Sequence, residues 1–141
     1  MKQAEFTLER IFYPEFSMNA NPDFKLHSDI DPAQPSFKVR LFDNKGGRYV
    51  VYLELEKPIE SESDAYEIRA LSVGRFQTSP ETPSETQQAI IMHSAPNILY
   101  GALREHIISM TSRGPWSEYY LPAVIIDPED FATDEYVIDE N

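Results

Sequence analysis

Apolar and polar positions along the chain follow two different periods. Phe37, Val39 and Leu41 alternate with Lys38 and Arg40, and Val51, Leu53 and Leu55 alternate with Tyr52, Glu54 and Glu56. A period of two predicts strands over 37–42 and 48–57, each with one face on a core. Phe6, Leu8 and Phe12, set among Thr7, Glu9 and Ile11, predict a longer strand over 5–18, where Pro14 marks an edge or a bulge. Tyr66, Ile68 and Ala70, against Glu67 and Arg69, predict a fourth strand over 65–76. The polar links DNKGG at 43–47 and ESESD at 60–64 are turn signals, so the last three strands form an antiparallel meander. The opposite face, with Lys38, Arg40, Glu54, Glu56, Glu67 and Arg69, is expected to be solvated.

Beyond residue 84 the period becomes helical. Ser84-Glu85 suits a helix start, and a first short helix is expected over roughly 85–94. Ser94-Ala95-Pro96 reads as a second start, since proline is tolerated in a first turn. That second helix runs to about Arg113, where Gly114-Pro115 stops it. Leu99, Leu103, Ile107 and Met110 form its apolar stripe, widened by Ile98 and Ala102. The elements together give an α+β fold, a four-stranded antiparallel sheet with a long helix.

Some apolar residues fall outside both patterns. Residues 19–36 form a long connection rich in Pro, Asp and Asn that still carries Phe24, Leu26 and Ile30. Connections of that length without regular structure are uncommon and often functional. Trp116, Tyr119, Tyr120 and Leu121 follow the helix between Pro115 and Pro122. Such residues either lid the core or line an open groove, and a large exposed apolar strip on an acidic chain marks a binding surface.

Composition narrows the function. A length of 141 residues gives room for one domain. A formal net charge of −12 argues against nucleic-acid binding and against docking on anionic membranes. There is no cysteine, which removes disulfides, thiolate catalysis and Cys-ligated zinc. The opening residues MKQAEFTLERIF carry no leader signal and no apolar run approaches a membrane span, so a cytoplasmic protein is expected. The charge is uneven: residues 76–141 hold 11 acids and 2 bases, with seven of the acids in the last 15 residues. Residues 128–141 are expected to be an acidic tail or short helix after a domain over 1–127, with Phe131, Tyr136, Val137 and Ile138 as its apolar interruptions. The acids lack the spacing of a calcium loop. His27, His93 and His106 form no metal-ligand spacing, and no nucleophile elbow or phosphate loop is present, so no catalytic site, metal or cofactor is expected.

The helix and its exit carry a longer pattern: Pro96-Asn97-Ile98-Leu99, Arg104-Glu105, Ile107, Ser109-Met110, Ser112-Arg113-Gly114, then Leu121, Val124 and Asp127. With Phe6-x-Leu8-x-Arg10-Ile11-Phe12 and Gly74-Arg75-Phe76, this resembles the SecB family of export chaperones over roughly residues 5–127. The resemblance implies a Greek-key sheet packed on a long helix, and a homotetramer built as a dimer of dimers. Leu99, Leu103, Ile107 and Met110 would then serve core and subunit interface together. It implies ATP-independent holding of unfolded polypeptide clients in apolar grooves, here Phe24, Leu26, Ile30, Phe37, Val39, Leu41, Trp116, Tyr119, Tyr120 and Leu121. Solitary relatives hold the antitoxin of a toxin–antitoxin pair, and an adaptor on the same fold is a further reading. The family passes its client to the motor SecA through an acidic outer sheet face and a C-terminal tail. Here Arg69 stands where an acid is expected, Asn19 replaces another, and the terminal DPEDFATDEYVIDEN is unlike the family's last helix. Glu15 keeps one expected acid, so SecA stays a partner that the resemblance implies and these departures count against.

Overall fold

A computed structural model describes residues 5–131. Strands β1 (Phe6–Ala20), β2 (Ser36–Asp43), β3 (Arg48–Lys57) and β4 (Tyr66–Thr78) precede helix α1 (Ser84–Thr111) and a single 3₁₀ turn at Pro128–Asp130. All pairings are antiparallel, in the order β1-β4-β3-β2. The meander β2-β3-β4 is joined by β1, which lies beside β4, and this completes the expected Greek key. β1 shifts register twice, between Leu8 and Arg10 and between Phe12 and Glu15. The second shift contains Pro14, which has no N–H to give the ladder.

One sheet face carries the core. Tyr49, Val51, Leu53 and Leu55 of β3 and Tyr66, Ile68, Ala70 and Phe76 of β4 are buried on it, as the alternation requires. Ile91, Ala95, Leu99, Leu103 and Ile107 of α1 are 0% exposed against that face. The helix comes close to β4 because Gly74 has no side chain: a Cβ there would lie 2.7 Å from Leu99 Cδ2 and 2.7 Å from the Phe76 ring. The N-terminal end of α1 is tied to the sheet by Gln87. Its side chain accepts from the Tyr49 hydroxyl at 2.8 Å and donates to the carbonyls of Ser79 and Thr82.

Two expectations are corrected here. The two helices expected on either side of Ser94 are one helix of 28 residues with Pro96 inside it. Proline removes one backbone hydrogen bond and crowds the preceding turn. The helix continues because Ile91, Ala95 and Leu99 keep one apolar face on the sheet straight through that position. Asn97 also donates from Nδ2 to the His93 carbonyl at 3.1 Å. The second correction concerns Leu99, Leu103 and Ile107. They are wholly buried within one chain, so they have no surface to give a subunit interface; Met110 alone of the four is exposed.

The packed unit also extends beyond residue 127. Phe131 is buried and makes a parallel bridge to Val39 on the free edge of β2. The expected tail residues 132–141, with Tyr136, Val137 and Ile138, lie outside the described residues. His106 stacks on Tyr13 with ring centroids 4.9 Å apart and meets Phe16 edge-on at 4.6 Å. No group of three or more His, Asp or Glu able to hold a metal occurs among the described residues, and no described helix is long and apolar enough to cross a membrane.

Replacing Gly74 with Ala inserts a methyl into this contact, and overpacking of this kind costs about 1–3 kcal/mol. Denaturant titration is expected to show a lower midpoint with an unchanged slope; an unchanged midpoint would mean that the helix does not press on β4.

Candidate functional site

The connection between β1 and β2 has no regular structure, and a buried carboxylate holds it. Asp64, at the start of β4, accepts from the Ala33 N–H at 2.8 Å, from Lys57 Nζ at 2.8 Å, and from the N–H groups of Glu60 and Ser61 at 2.9 and 3.1 Å. Lys57 continues the inward period of β3, so its ammonium points to the core side; it also donates to the Pro58 carbonyl at 2.8 Å. The two side chains are only 2% and 0% exposed. Asn21 closes the other end of the connection, donating from Nδ2 to the carbonyls of Ser61 and Asp64 while its N–H reaches Ala65. Burial alone would raise the Asp64 pKa. The hydrogen bonds from Lys57, Glu60 and Ala33 and the Lys57 charge outweigh it and hold the carboxyl below the ordinary 3.8.

The segment after α1 is held by side chains already in the core. The Tyr66 hydroxyl accepts from the Trp116 N–H and donates to its carbonyl, both at 3.1 Å. A Cβ on Gly114 would lie 2.9 Å from the Tyr66 ring, so the exit of the helix requires glycine at this position. Thr111 Oγ1 accepts from the Tyr119 N–H at 2.9 Å, and Trp116 Nε1 donates to the Asn21 carbonyl at 3.0 Å. Phe24 leans on Trp116 with centroids 5.4 Å apart, so the two connections support each other. Further on, Asn97 and Ile126 exchange two hydrogen bonds of 3.0 Å, and the Tyr100 hydroxyl donates to the Pro122 carbonyl. These contacts lay residues 119–126 across the edge of the core.

The expected groove residues fall into three groups. Val39, Leu41 and Leu121 are 2%, 8% and 1% exposed, and belong to the core rather than to an open groove. The inward period of β2 takes the first two, and Leu121 closes the core behind the helix. Phe24, Phe37, Trp116 and Tyr119 are half-buried supports, with Phe37 edge-on to Tyr100 at 5.3 Å. Leu26, Ile30 and Tyr120 are open to solvent. Phe24, Leu26, Pro32 and Tyr119 line a cavity of about 210 Å³ whose floor is the Lys57–Asp64 pair. Ser63, on the same rim, donates to the Ile30 carbonyl. Burial, with smaller contributions from Tyr100 and Asp64, pushes the Tyr119 hydroxyl up to about 12, so this wall stays neutral at any ordinary pH.

Val124 and Ile125 were not among the expected groove residues. Ile125 is 82% exposed, and with Phe37, Val124 and Ile126 it lines a second cavity of about 250 Å³ beside β2. Their signal was the apolar run Val124-Ile125-Ile126 ahead of the acidic end. Lys57 and Asp64 were also missed; a lysine in an inward strand position was their signal. A more spacious concavity lies elsewhere, about 1000 Å³ between Phe6 and the outer flank of α1 at Ala89, Ile90 and Met92. It is an open flank with Glu85, Gln88 and His93 on its rim.

Changing Asp64 to Asn leaves the Lys57 ammonium buried without its counter-charge, a loss of about 3–5 kcal/mol in such settings. The wild-type contribution is complete above pH 3.8 and is lost as pH falls through the lowered Asp64 value. Thermal unfolding is expected to show this acid loss in the wild type and a flat response at the same pH in Asp64→Asn. Equal pH profiles would contradict the assignment.

No family model matches the chain. No curated protein matches it either. Solved structures do. A SecB-like chaperone of Mycobacterium tuberculosis, solved in complex with a ChAD peptide from the HigA1 antitoxin, is similar over 85% of this chain and 91% of its own, with a TM-score of 0.67 and 14% identity. A Streptococcus agalactiae protein of unknown function is similar over 86% of this chain and 100% of its own, with a TM-score of 0.51 and 12% identity. The four-stranded antiparallel sheet and single long helix of this chain are therefore the SecB-like fold.

Proposed function

We propose that the chain is a SecB-like chaperone that holds unfolded polypeptide without ATP and without catalysis. The observation that carries this reading is the set of apolar side chains left open in the two irregular connections: Leu26 at 69%, Tyr120 at 57% and Ile125 at 82% exposed on a chain of net charge −12. An acidic surface keeps such residues soluble, and their grouping at the two irregular connections suits extended apolar segments of varied sequence. Burying apolar client surface gives about 25 cal/mol per Å², offset by ordering the client, so several modest sites must act together.

An antitoxin segment is the client class favoured over secretory precursors. The M. tuberculosis neighbour was solved with an antitoxin peptide, and Lys38, Arg40 and Arg69 interrupt the acidic outer face that a SecA contact would use. A homotetramer belongs to the same proposal. Its interface would use half-buried residues on the outer flank of the helix such as Ile90 and Met92, because Leu99, Leu103 and Ile107 are spent on the core.

The test is suppression of aggregation of a chemically denatured model protein, with no nucleotide, by the intact chain and by Leu26→Ser/Ile125→Ser. The intact chain is expected to suppress aggregation. The double variant is expected to bind the client about tenfold more weakly, a loss of about 1.4 kcal/mol, with a thermal midpoint close to wild type because both residues are exposed. A folded chain that suppresses nothing would leave a chaperone dedicated to one client or the adaptor reading, and pull-down of a single native client separates these two.

A further inference from the structure

The sheet face turned away from α1 is divided by charge. Its register rows place Arg40, Tyr52, Val73 and Phe12 together, then Phe42, Val50, Arg75 and Arg10, then Arg48, Gln77 and Thr7. These rows hold four arginines and no acid. The acids of the face, Glu15, Glu54, Glu56 and Glu67, lie in the rows at the other end with Lys38 and Arg69, and Arg69 is 3.7 Å from Glu56. Among the described residues none of the four arginines is in an ion pair. Arg10 and Arg75 lie over the Phe12 ring at 4.7 and 5.5 Å, and Arg40 Nε is buried with no hydrogen-bond partner. Phe12, Phe42, Val50, Tyr52 and Val73 line a shallow cavity of about 280 Å³ between the arginines. A basic, aromatic patch is thus set into a chain of net charge −12, with Glu9 in the β1 bulge beside Arg10 as its nearest acid in sequence.

We propose that this patch is the docking surface for the chain's own acidic segment, residues 132–141. Three observations select that occupant. Residues 132–141 carry Asp134, Glu135, Asp139 and Glu140 with no base, and Tyr136, Val137 and Ile138 between them, which complements arginines around an apolar floor. The described residues end at Phe131, bridged to Val39 on the edge strand β2, next to Arg40. That bridge is parallel, so at Phe131 the backbone points the way β2 runs from Val39 to Arg40 and Phe42. Ten residues span up to about 33 Å, and a four-stranded sheet is about 14 Å across, so the reach is sufficient. A nucleic acid fits less well. A long polyanion would meet the acids of the neighbouring rows, Glu15, Glu54, Glu56 and Glu67.

The experiment uses the full chain. It has no cysteine, so Tyr136→Cys gives one attachment point for a nitroxide spin label. Amide signals are then compared with the label oxidised and reduced. The expected result is broadening of Arg10, Arg40, Phe42 and Arg75, lost at about 0.5 M salt, where screening shortens to a few Å, and lost in Asp134→Lys/Glu135→Lys. Arg40→Glu/Arg75→Glu is expected to abolish it too; the tail variants keep the test valid should that pair unfold. Broadening at Leu26 and Ile125 instead, or broadening that ignores both salt and the tail charges, would overturn the proposal. Client holding that persists while this broadening is absent would remove the docking alone and leave the chaperone reading standing.

Discussion

The Asp64 carboxylate is where the irregular half of the molecule meets the regular half. A loop of the length that joins β1 to β2 loses much conformational entropy when ordered, and it makes no sheet ladder to offset that cost. Asp64 accepts from Ala33 in that loop, from Lys57 at the end of β3 and from two N–H groups in the β3–β4 turn. One buried charge therefore fixes three segments at once, and the Lys57 ammonium makes that charge tolerable. Phe24 is held nearby, where it leans on Trp116, and Trp116 in turn donates to Asn21. The first cavity exists because this small polar cluster stands under it.

The helix contributes to the same end. A single helix packed on one sheet face leaves no second layer to cover the edges of the core. The segment after Thr111 supplies that cover: Leu121, Ile126 and Phe131 plug the core in turn, held by Tyr66, Tyr100 and Asn97. Tyr120, just before the first plug, and Val124 and Ile125, between the first two, are turned out. The segment that seals the core thus also presents the apolar side chains through which a client would be held. The acidic surface is compatible with such exposure, because net charge opposes self-association.

The sheet was legible from the chain because its period is strict. Tyr49 to Lys57 alternates without interruption, and β3 was expected with the ends it has. The helix was legible in its apolar stripe but not in its continuity, since local rules place Pro96 at a start and only the packing of Ile91, Ala95 and Leu99 shows that the chain continues through it. The site was legible in part. Apolar residues stranded in loops pointed to Leu26, Ile30 and Tyr120, yet the same rule swept in Leu121, whose loop folds back onto the core. Val39 and Leu41 came from the family resemblance, while their own alternation already placed them inward. Interactions between distant segments, such as Ala33 with Asp64 or Asn97 with Ile126, leave no periodic trace and could not be read ahead of the fold.

The central claim is that an unfolded polypeptide is held at the open apolar residues of the two connections. It is tested most directly by methyl-labelled NMR of the full chain while a permanently unfolded polypeptide is added. The account predicts shifts concentrated on Leu26, Ile30, Val124 and Ile125, with Leu99, Leu103 and Ile107 unmoved in the core. Shifts confined to the outer flank of the helix at Ile90 and Met92, or no shifts at all, would contradict it.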